Sequence, residues 1–186
     1  MNRAFMLLAA FAVTPVAADK VVAQVPGSYA GQQAREIKAL SAQEQADLLA
    51  GRGMGLARAG ELNHHPGPAH VLELRGELKL TPDQVDAVQA SFRRMEAAKP
   101  LGAELVRRER EMDTAFRQGT MTPARLAADT EEIGGLRGRL RGVHLAAHLD
   151  MRAILTPQQI AAYDMLRGYA GVAPAEPAGH QGRHRG

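Results

Sequence analysis

Leu80-Thr81-Pro82-Asp83-Gln84 recurs, one substitution apart, as Leu155-Thr156-Pro157-Gln158-Gln159, and this pair of phrases decides the fold class. Each phrase is built to start a helix. The threonine hydroxyl accepts from the backbone amide three residues on, and the glutamine at that position reaches back to the threonine amide, a capping box. Proline takes the first helical position, where its missing N–H costs nothing. Leu80 and Leu155 stand where the apolar half of a hydrophobic staple belongs, with Val85 and Ile160 as partners. Both phrases therefore predict α-helices beginning at Pro82 and Pro157.

Helical signals extend outward from both. Ser41-Ala42-Gln43-Glu44 is a third capping box, opening a short helix that Gly51 ends. Leu56 to Leu62 reads as one or two helical turns, closed by the breaker cluster Asn63-His64-His65-Pro66-Gly67-Pro68. A helix is predicted from about Ala69 to Lys79, with Val71, Leu74 and Leu78 at helical spacing. The helix from Pro82 runs to about Gln118, and its apolar stripe changes face. Val85, Val88, Phe92 and Met95 define one side; beyond Lys99-Pro100-Leu101-Gly102 the stripe is Leu101, Leu105, Met112 and Phe116. A proline there predicts a bend, each half packing on a different neighbour. Gly119-Thr120-Met121 is a turn, and Thr122-Pro123 opens a helix to about Ala153. That helix keeps the stripe Ile133, Leu136, Leu140, Val143, Ala147, Met151 and Ile154. Gly134-Gly135 invites close helix contact, and Leu145 and Leu149 fall on nearly the opposite face, calling for a second packing surface. The last helix is expected from Pro157 to about Tyr169. No strand pattern occurs, so the fold class is all-α: a bent long-helix hairpin with short flanking helices.

Composition restricts the compartment and the partners. Met1 to Ala18 resembles a secretory signal peptide: Arg3, then apolar Ala4 to Val13, then small residues before a cut ahead of Asp19, with a cut after Ala23 as the alternative. That apolar run is shorter than the roughly 20 residues a bilayer requires, and no later stretch reaches that length. Residues 19–186 suffice for one domain. Cysteine is absent, which excludes disulfides and thiolate metal sites. Aromatics are 4% of the chain and the 45% apolar share is largely Ala and Leu, the material of narrow helix seams. A shared-core antiparallel homodimer is the expected remedy for so thin a core. The net charge of +3 and pI near 9.6 would fit nucleic acid in another compartment. Export and interleaved charges such as Arg107-Arg108-Glu109-Arg110-Glu111 point instead to a solvated helix face.

Catalytic patterns are lacking. There is no His-Glu-x-x-His, and Gly51-Arg52-Gly53-Met54-Gly55 has glycines without the strand-to-helix setting of a dinucleotide loop. The expectation is a protein that is not an enzyme and requires no cofactor. Metal chelation has more substance. His144 and His148, four apart on a helix, share one face and suit Zn²⁺, Ni²⁺ or Cu²⁺. His64, His65 and His70 add imidazoles, as do His180 and His184 in the tail. No carboxylate shares the face at the right spacing. His144 is expected to border the core, and His148 to lie in solvent beside Arg137 and Arg141. Methionines 54, 95, 112, 121, 151 and 165 read first as core filler and second as soft Cu(I) donors.

Paired Leu-Thr-x-x-Gln motifs in a small exported helical protein resemble the Spy/CpxP family of periplasmic proteins. That family embraces refolding chaperones, stress-signalling accessory proteins and heavy-metal sensor or zinc-resistance proteins. The resemblance covers about Ala69 to Tyr169, with Leu80, Thr81, Gln84, Leu155, Thr156 and Gln159 carrying it. It implies a cradle-shaped helical dimer whose basic and apolar surface holds unfolded chains. Arg107, Arg108, Arg137, Arg139 and Arg141 with Leu145 and Leu149 are the residues here that suit such a surface. The leading expectation is an ATP-independent periplasmic chaperone or envelope-stress accessory protein. The alternative is a periplasmic heavy-metal-binding sensor or resistance protein, with His144, His148, His64 and His65 as candidate ligands. Docking on a sensor kinase stays open as a third reading. The resulting organisation is a signal peptide (1–18), a flexible segment (19–32), a short-helix extension (33–68), the family-like helical domain (69–170) and a disordered His/Arg/Pro/Gly tail (171–186).

Overall fold

The three capping boxes set the frame. In the computed structural model, which describes residues 27–170, Ser41, Thr81 and Thr156 each accept from the amide three residues on, while Glu44, Gln84 and Gln159 reach back. The helices they open are α1 (Ala42–Leu49), α4 (Pro82–Met95) and α7 (Pro157–Leu166). Between them lie α2 (Arg58–Glu61), α3 (Pro68–Glu73), α5 (Ala98–Arg117) and α6 (Pro123–Ile154). The described residues are all-helical, without strands; a lone bridge joins Ile37 and Leu40. None of these helices is long and apolar enough to cross a membrane. The chain divides at Gln33: residues 27–33 form turns, and residues 34–170 hold the seven helices. The signal-like residues 1–18, most of the 19–32 segment and the tail with His180 and His184 lie outside the described residues.

The axis of the fold is α6, 32 residues or about 48 Å long. Thr122 caps it through the Arg125 amide. Its stripe serves two cores in succession. Ile133, Leu136 and Leu140 pack with Leu105 and Val106 of α5, Leu48 of α1, and Ile37 and Leu40 before it. About three turns further along α6, Met151 joins Val71, Leu78, Val88, Leu155, Ile160 and Tyr163. Leu155 and Ile160 share that second core, as the staple requires, and Leu80 packs against it.

The long helix predicted over 82–118 is bent, and the bend is a two-residue turn that divides it into α4 and α5. Met95 ends α4, Glu96 and Ala97 form a turn, and α5 starts at Ala98. Pro100 falls in the first turn of the new helix, where its missing N–H breaks no bond. The change of face in the stripe is explained by this turn: α4 packs on α3 and α6, and α5 on α1 and α6. Phe92 and Phe116, counted among the stripe residues, are exposed. The helix predicted over 69–79 also stops early. Beyond Glu73 the chain turns, and the Leu80 amide bonds back to the Arg75 carbonyl at 3.1 Å while Lys79 takes φ +50°.

Close contact occurs at Gly102, not at Gly134-Gly135. A methyl group on Gly102 would lie 2.0 Å from the Leu48 carbonyl oxygen, so α1 docks directly against α5 backbone. Gly134 faces open space and Gly135 meets only the Arg139 side chain.

Candidate metal centre

The second half of α6 turns His144 and His148 toward the extension that precedes α3. The Gly53–Gly55 loop, α2, the Asn63–Gly67 breaker and the end of α7 fold over them, enclosing a cleft of about 410 Å³. Met54, Met95, Arg58, Glu61, Arg167 and Tyr169 complete its polar and thioether lining.

His144 is 2% exposed, and its Nε2 has no hydrogen-bond partner. Burial, and secondarily the neighbouring His148, hold its pKa below the usual imidazole value. It is therefore neutral near pH 7, with a ring nitrogen available to a metal.

His148 is buried as well, which corrects the solvent position expected for it. Its Nδ1 donates to the His65 carbonyl oxygen at 2.7 Å. An anchored Nδ1–H leaves Nε2 as the free donor and sets the ring plane, the arrangement common behind metal-bound histidines. Gly67 makes this possible: a Cβ there would stand 3.3 Å from His148 Nε2 and 3.2 Å from Glu61 Oε2. Any side chain at 67 would crowd the ring.

The carboxylate absent from the helix face comes from α2. Glu61 Oε2 lies 3.6 Å from His148 Nδ1. Glu61 Oε1 accepts from the hydroxyls of Tyr163, at 2.5 Å, and Tyr169, at 3.1 Å, with Arg167 Nε 3.9 Å away. The Tyr163 hydroxyl also accepts from the Gly67 amide at 3.4 Å. Burial, then the bond to Glu61, pushes the Tyr163 phenol far above its ordinary pKa. Glu61 thus ties the extension to α7 while standing beside His148. Nothing in a four-residue helix advertises this, and only the adjoining breaker cluster hints that the chain reverses there.

The other candidate ligands separate. The His64 ring turns away to Asp164, Nδ1 to Oδ2 at 2.6 Å, with its backbone at φ +62°. His65 binds its own segment through Asn63 O and offers the cleft its carbonyl rather than its ring. His70 lines the cleft wall but is paired with Glu73 at 2.9 Å. Among the described residues no three His, Cys, Asp or Glu side chains cluster closely enough for a metal ion. Two imidazoles, one orphaned and one anchored, fit an incomplete metal site, with thioethers at the rim.

The residues assigned to a client surface are mostly neutralised. Arg107 pairs with Glu104 and Glu111, Arg108 with Glu104 and Glu132, and Arg137 with the buried Glu109. The Glu104 carboxyl, bonded by Arg107 and Arg108, is pulled down to about 2. Arg139 and Arg141 have no ion pair among the described residues. Leu145 is half-buried, and Leu149 is 62% exposed.

These features define a small all-helical protein with a histidine-bearing cleft along its longest helix. The family model described as heavy-metal resistance matches residues 48–162, and the chain belongs to that family, which is of the Spy/CpxP-like helical kind. No curated protein and no solved structure matches the chain. The matched span begins in α1 and includes the Gly53–Asn63 segment.

Proposed function

We propose that this chain binds a divalent heavy-metal ion of the zinc, nickel or copper group and serves metal sensing or resistance in the periplasm. One observation carries the reading: a buried, neutral, unpartnered His144 Nε2 one helical turn from His148, inside a cleft. An unsatisfied buried nitrogen is costly unless something binds it. His144 and His148 would hold the ion, Glu61 would orient or join them, and Met54 and Met95 offer thioether sulfur to the softer members of the series. The ion supplies charge that replaces the lost hydrogen bond; the protein contributes ligand orientation through the His65 carbonyl. Membership of the heavy-metal resistance family supports the same reading. We read the protein as a binding protein, not an enzyme, and its signal-like first residues as an export signal.

Titration of the purified protein with Ni²⁺, Zn²⁺ and Cu²⁺ tests this. Binding is expected at one ion per chain, and a His144→Ala, His148→Ala double variant loses it. Binding that persists in that variant, or none in the wild type, removes the site.

Client holding is the second reading, favoured by the exposed Leu149 and Phe92 and by the exposed Arg141, which has no ion pair among the described residues. It needs a homodimer to assemble a concave surface, with unfolded envelope proteins as partners; a sensor kinase is a further partner class on the same surface. An aggregation assay on a reduced client, run with and without metal, tests it. Unchanged aggregation at stoichiometric protein defeats it.

A further inference from the structure

The cleft is too large for a bare ion. Its volume of about 410 Å³ falls within the range of small-molecule pockets, roughly 300–1,000 Å³. Water occupies about 30 Å³ in the liquid, so an ion with its own aquo ligands would fill only part of that space. The closely placed protein donors are few: two imidazoles, with Glu61 engaged by Tyr163 and Tyr169, thioethers at the rim, and no third His, Cys, Asp or Glu clustered with them among the described residues. A coordination shell begun by His144 and His148 must therefore be finished by something that arrives with the metal or after it.

The walls indicate what that something is. Arg58 borders the cleft from α2, is exposed, and forms no ion pair among the described residues. Arg167 borders it from the end of α7, its guanidinium set over the Tyr169 ring at 5.9 Å. Its Nε is buried and without a hydrogen-bond partner. Glu61, 3.9 Å from Arg167 Nε, offsets part of the arginine charge, but two guanidiniums beside a dication-binding pair still oppose a bare metal ion. They become favourable if the metal brings negative charge, because guanidinium pairs bidentately with carboxylate. The phenol of Tyr169 adds a hydroxyl at the same end.

We propose, on the basis of the metal reading above, that the ligand of this cleft is a metal ion already held by a small polycarboxylate chelator. His144 and His148 take the open positions on the ion, and Arg58 and Arg167 receive the chelator's free carboxylates. The affinity of the site then depends on both halves of the ligand.

Nickel and radiolabelled citrate are suitable probes in equilibrium dialysis with the full chain. One citrate per protein is expected to be retained when Ni²⁺ is present, at least tenfold more than without it. Arg58→Gln, a change at an exposed position, should lower citrate retention at least fivefold more than it lowers binding of Ni²⁺ alone. Arg167→Lys should act in the same direction. If citrate simply strips nickel from the protein and none is retained, the proposal is overturned while the metal reading stands. Retention that ignores both arginine variants overturns it equally. If His144→Ala, His148→Ala binds Ni²⁺ as the wild type does, the metal reading falls and takes this inference with it.

Discussion

The carboxamides of Gln84 and Gln159 bond to each other in both directions: Gln84 Nε2 donates to Gln159 Oε1 at 2.8 Å, and Gln159 Nε2 donates to Gln84 Oε1 at 2.9 Å. Each oxygen also accepts from the amide of its own cap threonine, at 3.1 and 2.9 Å. Each nitrogen also reaches a carbonyl just before the other motif, Gln84 to Ile154 O and Gln159 to Leu78 O. The repeated phrase is thus more than two separate helix starts. Its glutamines close their own capping boxes and, across the contact, satisfy carbonyls that the end of α6 and the turn before α4 leave free.

Removing either glutamine should leave partly buried donors and acceptors unpaired. Gln84→Ala and Gln159→Ala are each expected to lower unfolding free energy by about 1–3 kcal/mol. The double variant should cost about 1 kcal/mol less than the sum, because the second deletion removes a partner already lost. Urea unfolding followed by helical circular dichroism measures the cycle. Strict additivity would mean that the two motifs act separately.

Glycine positions give opposite expectations within one fold. Gly102→Ala drives a methyl group into the Leu48 carbonyl and should cost about 3 kcal/mol, undocking α1. Gly142, exposed on α6 with open space around it, should gain roughly 0.5–1 kcal/mol on change to alanine. Thermal unfolding of the two variants tests the pair; a neutral Gly102→Ala would contradict the close docking of α1.

Asp150 makes stability depend on acid. Its Oδ2 accepts from Ser91 Oγ and Arg94 Nη2, each at 2.6 Å, joining α4 to α6. The Ser91 bond lowers its pKa most; desolvation opposes this, and Arg94 adds to the lowering. A carboxyl with a depressed folded-state pKa stabilises above its unfolded value of about 3.9, and that contribution disappears as pH falls through the folded value. The carboxylate is partly exposed, so the effect at neutral pH is modest, about 1 kcal/mol. Asp150→Asn should be weaker than wild type at pH 7 and converge with it near the acid end of a stability profile. A gap that stays constant with pH would assign the loss to packing alone.

How far the residues announced this structure depends on how local the cause is. Capping boxes are settled within four residues, so Ser41, Thr81 and Thr156 fall as the local rule requires. The change of face and the bend after Met95 were legible, but the two-residue turn at Glu96 and Ala97 was not, because Pro100 suits a new first turn as well as a kink. The His144–His148 spacing named the centre of the cleft. The burial of His148 depends on a carbonyl 83 residues away in sequence, and Glu61 enters through tyrosines about a hundred residues distant. Periodicity carries no record of such contacts.

That long-range tie supports a final expectation. Tyr163 is fully buried, and its hydroxyl links Glu61 and the Gly67 amide to α7. Tyr163→Phe keeps the ring packed and deletes only those bonds, leaving the Glu61 carboxylate with Tyr169 and Arg167. A cost of about 1–3 kcal/mol is expected, concentrated in the strap from Glu61 to Gly67 rather than spread over the molecule. Each 1.4 kcal/mol lost from local opening speeds amide exchange about tenfold. Hydrogen-exchange mass spectrometry should therefore show peptides covering residues 58–70 exchanging about five- to 150-fold faster, while those from α5 hardly change. Equal acceleration in both regions would mean that the hydroxyl stabilises the whole fold and that the strap over His148 is held by other contacts.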